Sequence, residues 1–316
     1  MLVATDTTLE SRVNQLTEAI HMDSKLPLQN KLDAARALAL DLPALALTVP
    51  HALRHPLDAI VCAALLEVTE LANEMLDLLD SLFSSTRPTD ASLLKCDALR
   101  ATEKAMVSGA VEPHALLSLL GVLLDGSGVD DVVVHLTTLP LMRCALVDAA
   151  FSRPSPSPAL VPSAVATLHV VVSILSHRNV RPSEILERLG IKLDQITGGL
   201  DAEWTAPTSR YDLGGARPAD EPLSRSAHLA LLAELCSDSS VAESLCELRH
   251  LEHLKTMLLV GNSAQQLGTV ELLLMVVASV QSGATALSSS DIVSYLLETL
   301  RLPSTTFSSS SQPSMG

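Results

Sequence analysis

The stretch Leu231-Leu-Ala-Glu-Leu235 begins a pattern of apolar residues that recurs when position 231 is aligned with position 273. Seven apolar positions coincide in this alignment: Leu231 with Leu273, Leu232 with Leu274, Leu235 with Val277, Leu245 with Leu287, Leu251 with Val293, Leu254 with Leu296 and Leu258 with Leu300. A third copy fits upstream without gaps, at Leu119, Leu120, Leu123, Val133, Leu139, Met142 and Leu146. A recurring period of this kind indicates stacked structural units.

Each copy contains an early trio spaced i, i+1, i+4 and a late trio spaced i, i+3, i+7, which are the spacings of a buried helix face. A short polar break separates the trios: Asp125-Gly-Ser-Gly128, Ser237-Asp-Ser-Ser240 or Gln281-Ser-Gly283. Each unit is therefore predicted to be a helix, a turn and a second helix. The period, about 42 residues, lies in the armadillo and HEAT range, so we expect an all-α, right-handed superhelical solenoid of stacked helix pairs.

The composition agrees with helices packed on helices. Hydrophobic residues make up 47% of the chain, and they are mostly Leu, Ala and Val, whereas aromatic residues make up only 2%. Sheets usually need aromatic and β-branched pairs, and the hydrophobic content is too high for wholesale disorder.

The chain divides into three predicted regions. Residues 1–50 are expected to form an N-terminal helical cap, and residues 51–302 the armadillo/HEAT-like units, with weaker copies at Ala164–Ile196 and Ile60–Leu82. Two loops, 152–162 and 197–226, interrupt the units because they are rich in Pro, Gly or charged residues. Residues 303–316 are rich in Ser and are expected to be a disordered tail.

The second interruption contains the only tryptophan, Trp204, and one of the two tyrosines, Tyr211. It is predicted to be either a flexible excursion or a loop whose Trp204 and Tyr211 anchor a partner or fill the groove of the solenoid. These two residues are the candidate partner-binding residues of the sequence.

The formal net charge of −15 would repel phosphate backbones and anionic lipids, so we expect neither a nucleic-acid nor a membrane partner. The charge serves either solubility alone or the steering of a basic partner. The N-terminus has no basic start or long apolar run, and the five cysteines, an odd number, lie far apart as reduced thiols do. A cytoplasmic or nuclear location is therefore predicted.

A search for catalytic and cofactor motifs predicts no catalytic residues and no cofactor. The chain has no phosphate-binding glycine loop and no nucleophile elbow. Ser92-Leu-Leu-Lys95 has the S-x-x-K spacing of penicillin-recognising hydrolases, but the companion motifs are missing and chance explains it better.

A metal site is the remaining chemical alternative. His250 and His253 lie on adjacent helical positions with Cys246 one turn away, which keeps a metal-dependent helical enzyme open. Because no fourth ligand or zinc motif is present, we expect no metal and histidines that face solvent on either side of Leu251 and Leu254.

The last two units carry a resemblance to a known family. The runs Arg225–Cys236, Leu245–Leu259, Val270–Val280 and Asp291–Leu300, together with Leu53–Ile60, resemble the 26S proteasome non-ATPase regulatory subunit 5 family. The resemblance implies a chaperone that assembles the base of the proteasome regulatory particle, acting as a monomer outside its complex and binding one ATPase subunit of the base. The other interpretation in the same structural class is a general armadillo-type adaptor for another protein partner.

Overall fold

The computed structural model describes residues 3–20, 92–107, 111–126, 128–152, 158–205 and 226–301, and scattered residues between 27 and 83. All regular structure in these described residues is helical, which confirms the all-α prediction for them. The chain divides into two compact units, Met1–Ile196 (unit 1) and Thr197–Gly316 (unit 2). The division coincides with the start of the second predicted interruption.

Unit 1 contains one N-terminal helix and a run of helices that begins at Ser92. These are α1 (Val3–Ile20), α2 (Ser92–Val107), α3 (Pro113–Leu123), α4 (Val129–Thr137), α5 (Pro140–Phe151), a 3-10 turn (Pro158–Leu160), α6 (Val161–His177), α7 (Pro182–Leu189) and α8 (Leu193–Thr205), whose residues from Thr197 onward belong to unit 2. Unit 2 continues with α9 (Ala227–Leu235), α10 (Ser239–Leu245), α11 (Leu248–Val260), α12 (Ser263–Ser279), α13 (Gly283–Ser289) and α14 (Ile292–Arg301).

One long helix is central to each unit. In unit 1, α6 packs against α3, α4, α5 and α7. In unit 2, α12 packs against α9, α10, α11 and α13. Both units thus place a long helix against the three helices that precede it, because an apolar helix face is stable only when neighbouring helices cover it.

The predicted second helix of each pair is two helices, so the helix–turn–helix interpretation is wrong in this respect. The late part is divided into α4 and α5, into α10 and α11, and into α13 and α14. Pro140 starts α5 because proline cannot donate to a preceding turn, and Asp291, with φ 60, ends the run of α13. The predicted turn at Asp125–Gly128 is confirmed, with Gly126 and Gly128 at positive φ.

The predicted register, which aligns Leu231 with Leu273, is wrong by one position in α12 and α14. The buried residues are Leu272, Leu273, Val276 and Ile292, whereas Leu274, Val277 and Val293, which the predicted register places in the core, are exposed. The apolar run at 272–274 and 276–277 satisfies either register locally, and only packing on α9, α10 and α11 distinguishes them. The alignment that matches burial places Leu231 on Leu272.

The predicted interruptions are partly helical. Residues 158–160 form the 3-10 turn and α6 begins at Val161, so the loop 152–162 is shorter than predicted. Helix α8 continues to Thr205, so the loop 197–226 is wrong for residues 197–205. Residues 206–225 lie outside the described residues, as do the tail 303–316, most of 21–50 and the apolar positions predicted in Ile60–Leu82; of that stretch Leu76 is described, and it is buried.

Several helix ends in unit 1 are held by side chains from other helices. The Glu103 carboxylate of α2 accepts hydrogen bonds from the backbone N–H groups of Leu141 (2.9 Å) and Met142 (2.8 Å) at the start of α5. Arg143 of α5 donates to the backbone carbonyl of Arg188 near the end of α7, at 2.6 Å. These bonds satisfy helix-end groups that have no partner within their own helix.

Candidate functional site

The predicted metal residues lie in unit 2, where His250 is buried rather than exposed to solvent. Only 1% of its surface is accessible, so the expectation of a solvent-facing imidazole is wrong at this position. Its Nδ1 lies 3.0 Å from Thr197 Oγ1, a hydrogen-bond distance between α11 and α8. His250 therefore joins two helices of unit 2 inside its core.

A second buried histidine lies against α8. His228 of α9 has no accessible surface, and its Nε2 lies where a side chain at Gly199 would be, 2.2 Å from an added Cβ. Gly199 lies within α8 although it falls in the predicted loop 197–226, and its lack of a side chain leaves space for this imidazole. Two buried imidazoles of unit 2 thus lie against α8, His250 at Thr197 and His228 at Gly199.

The thiols of unit 2 are held in their protonated form. Burial, with a smaller contribution from nearby Cys246, raises the pKa of Cys236 to about 12. Burial, with a smaller contribution from Glu243, also raises the pKa of Cys246, whose Sγ donates to the backbone carbonyl of Ala242 at 3.3 Å. A protonated thiol is a poor nucleophile and a poor metal ligand.

The metal hypothesis requires at least three ligating side chains in one place. Within the described ranges, no group of three His, Cys, Asp or Glu residues could hold a metal ion. His250, His253 and Cys246 are therefore not brought together as a ligand set.

Lys95, from the S-x-x-K spacing, is buried in unit 1. Its ammonium group donates to the backbone carbonyl of Asp125, just after the end of α3. Burial lowers the pKa of Lys95, and the Asp125 carboxylate opposes this shift. The contact gives Lys95 the role of a C-terminal helix cap, because a cation is favourable beside the last carbonyls of a helix.

The structure describes no side-chain geometry for the two predicted partner-binding residues. Trp204 belongs to the last turn of α8, but its side chain lies outside the described residues, and so does the whole of Tyr211. The structure therefore brings neither of them to a described surface.

Among the described residues, unit 2 exposes several large apolar side chains, which the sequence prediction missed. Exposed large apolar residues occur on three helices of unit 2: Leu248, Leu259 and Val260 on α11, Leu267, Leu274, Met275 and Val277 on α12, and Val293 and Leu297 on α14. The signal was present, because the run Leu272–Leu274 has more leucines than one buried face can accommodate. The prediction instead assigned Leu274 and Val277 to the core.

Helices α12 and α14 carry few charged residues. From Ser263 to Leu300 the chain has no Lys, Arg or His, and its charged residues are Glu271, Asp291 and Glu298. Glu271 is exposed on α12 between Leu267 and Leu274. Arg301 ends α14, and Lys255 lies on α11, which packs against α12, so both signs of charge occur in this part of unit 2.

No single helix in the described part of the chain is long and apolar enough to cross a membrane. The neighbouring helices Val129–Thr137 and Pro140–Phe151 reach that length and composition only together, and they meet at a bend of 94°.

The comparisons with known proteins identify no relative: no protein-family model, curated protein or solved structure matches this chain.

Proposed function

We propose that this protein is a non-catalytic protein-binding scaffold, built as an armadillo/HEAT-like solenoid. The observation that carries this proposal is the shared packing of α6 and α12, each against its three preceding helices. Helices stacked in this way expose extended surfaces, which such proteins use to bind other proteins. The exposed apolar residues of α12 and α14 add a surface of the kind that marks interaction sites.

The proposed partner is an ATPase subunit of the proteasome regulatory particle base, and the proposed role is that of an assembly chaperone in the cytoplasm or nucleus. This part rests on the resemblance of Arg225–Cys236, Leu245–Leu259, Val270–Val280 and Asp291–Leu300 to the regulatory subunit 5 family. The net charge of −15 is compatible with a protein partner that presents basic residues.

The test is co-purification of the tagged full chain from its own cells, followed by mass spectrometry. We expect base ATPase subunits in complexes that lack the proteasome core particle. A matched sample without residues 304–316 tests whether the Ser-rich tail contributes. Recovery of a reproducible partner other than these ATPases would favour the general adaptor, and absence of any stoichiometric partner would contradict the scaffold proposal.

The alternative from another class, a metal-dependent helical enzyme, has no ligand set among the described residues. Burial of His250 and its contact with Thr197 favour a structural role for this histidine. Elemental analysis of the purified protein distinguishes the two, since a stoichiometric metal that is lost on His250→Ala would support the enzyme.

A further inference from the structure

Helix α4 packs against α2, and the last turn of α4 contains His135. The Nε2 atom of this imidazole is buried, and no hydrogen-bond partner for it lies among the described residues. A neutral imidazole has a proton on only one of its two nitrogen atoms, so the other nitrogen needs no acceptor. Protonation makes both nitrogens donors, and it is costly here because it buries an N–H group of a charged ring that none of those residues accepts.

The charges that act on His135 lie on α2. Burial and the Arg100 guanidinium lower the pKa of His135 from its ordinary value of 6.5, and the Asp97 carboxylate opposes this shift. Asp97 is itself paired with Arg100, at 2.8 Å. On α4, Asp131 lies one turn before His135 and is paired with Arg178 at 3.5 Å. The nearest carboxylates therefore already have cationic partners.

The remaining titratable groups around α4 leave this balance unchanged. Burial raises the pKa of the Cys96 thiol of α2, so this group is uncharged in acid. Other groups on the helices that pack against α4 are not causes of the shift of His135: Lys104 on α2, Arg143, Cys144 and Asp148 on α5, and His169 and His177 on α6.

Helix α2 connects this interface to α5. It packs against both α4 and α5, and its Glu103 carboxylate accepts hydrogen bonds from the backbone N–H groups of Leu141 and Met142. Separation of α2 from α4 would therefore also remove the side-chain cap from the start of α5.

We propose that His135 is a pH-sensitive latch of unit 1: its neutral imidazole keeps α4 packed against α2, and its protonation releases α4 and the start of α5 from α2. The sign follows from the direction of the pKa shift. Because the pKa of the packed imidazole lies below that of a released one, the packed state has its full stability above pH 6.5 and loses it as the pH falls through the lowered pKa.

The experiment measures hydrogen exchange of the full chain at about pH 7.5 and at about pH 5.5, on either side of the range in which an ordinary histidine becomes charged. The rates are corrected for the pH dependence of exchange in unstructured amides. We expect the protection of α2, α4 and the start of α5 to fall by at least about threefold in acid, because the released imidazole binds a proton more readily than the packed one.

The deciding variant is His135→Gln, whose side chain carries no charge at either pH. We expect it to keep equal protection of α2 and α4 at both pH values. The matched control is His177→Gln, which removes an exposed histidine of α6 in the same unit and should lose protection in acid as the wild-type chain does.

A second variant tests the latch without changing the histidine. In Arg100→Gln, the titration midpoint of the His135 imidazole, followed by its Cε1–H proton in NMR, should rise toward 6.5, since a nearby positive charge is removed. The loss of protection in acid should become smaller in this variant. Because Arg100 is exposed, this test remains open even if His135→Gln does not fold.

An equal loss of protection in acid in His135→Gln and in the wild-type chain would overturn the proposal. A midpoint of His135 at or above 6.5 in the wild-type chain would also overturn it, and so would a midpoint that Arg100→Gln leaves unchanged. A loss that occurs in the wild-type chain and in His177→Gln, but not in His135→Gln, would support the latch.

Discussion

The two units begin their helices in different ways. In unit 1, the cap positions before α4, α5 and α6 are Gly128, Leu139 and Leu160, which have no side-chain acceptor, and Pro140 stands at the start of α5. In unit 2, Ser226, Asp238 and Asn262 accept hydrogen bonds from the first turns of α9, α10 and α12.

The two units differ in how far along the sequence the capping group lies from the helix that it caps. Asn262 and Gln265 form a capping box inside α12, which can form before any tertiary contact. The start of α5 is instead capped by Glu103, which lies on α2 and far earlier in the chain. The starts of α9, α10 and α12 are thus capped by residues next to them in sequence, whereas the start of α5 depends on the packing of α2.

The largest expected effect tests the burial of α12. We expect Leu273→Ala to lower the free energy of unfolding by about 2–5 kcal/mol, because the side chain is buried and leaves a cavity. The neighbouring Leu274→Ala should change it by less than about 0.5 kcal/mol. Urea unfolding measures both, and equal losses would restore the register predicted from the sequence.

The next effect is pH-dependent and belongs to unit 2. Between pH 9 and pH 12 the unfolded chain releases the Cys236 proton while the folded chain keeps it, because burial raises the pKa of this thiol from 9.0 to about 12. The free energy of unfolding should therefore fall by about 1.4 kcal/mol per pH unit across this window.

Urea unfolding at several alkaline pH values checks this prediction against Cys236→Ala, which should lack that part of the slope. Cys144→Ala is the matched control in unit 1, where the cysteine is exposed. If the free energy of unfolding of Cys236→Ala falls with pH as steeply as that of the wild-type chain, the Cys236 thiol is not the cause of this slope.

A smaller effect compares one glycine from each unit. Gly199→Ala should lower the free energy of unfolding of unit 2. Overpacking against His228 costs about 1–3 kcal/mol, and the gain in helix propensity of about 1 kcal/mol opposes this cost. Gly121→Ala on α3 has open space and should stabilise unit 1 by up to about 1 kcal/mol.

Thermal and urea unfolding measure both glycine variants. Adding His228→Ala should turn Gly199→Ala from destabilising to neutral or stabilising. If Gly199→Ala lowers the free energy of unfolding equally in the wild-type chain and in His228→Ala, contact with His228 is not the cause of the loss.

An effect of similar size tests the capping difference itself. Asn262→Ala should cost about 1 kcal/mol, and Glu103→Ala should cost about 1–2 kcal/mol because two charged hydrogen bonds are lost. Hydrogen exchange should show faster exchange confined to the start of α12 in the first variant, and at the start of α5 in the second.

Glu103→Gln is the control for the second variant, since it keeps an acceptor and should lose less. Faster exchange at α5 in Asn262→Ala, or none there in Glu103→Ala, would break the comparison between the two units.

The sequence by itself determined that the described chain is helical and where several helices begin and end. Leucine and alanine at i, i+3, i+4 spacings favour helices whatever surrounds them, and Gly126 and Gly128 mark a turn through their own backbone preferences. The apolar trio of α9 was predicted in the register that the structure shows.

Only the tertiary structure decided which of two equivalent registers α12 buries, and that Gly199 lies within a helix. Leu272, Leu273 and Leu274 have the same side chain, so their local energies are alike and the neighbouring helices select the buried pair. Gly199 lies within α8, and the imidazole of His228, which lies on a later helix, occupies the space that a side chain there would take. Local preference sets helix formation, but burial depends on what packs against each face.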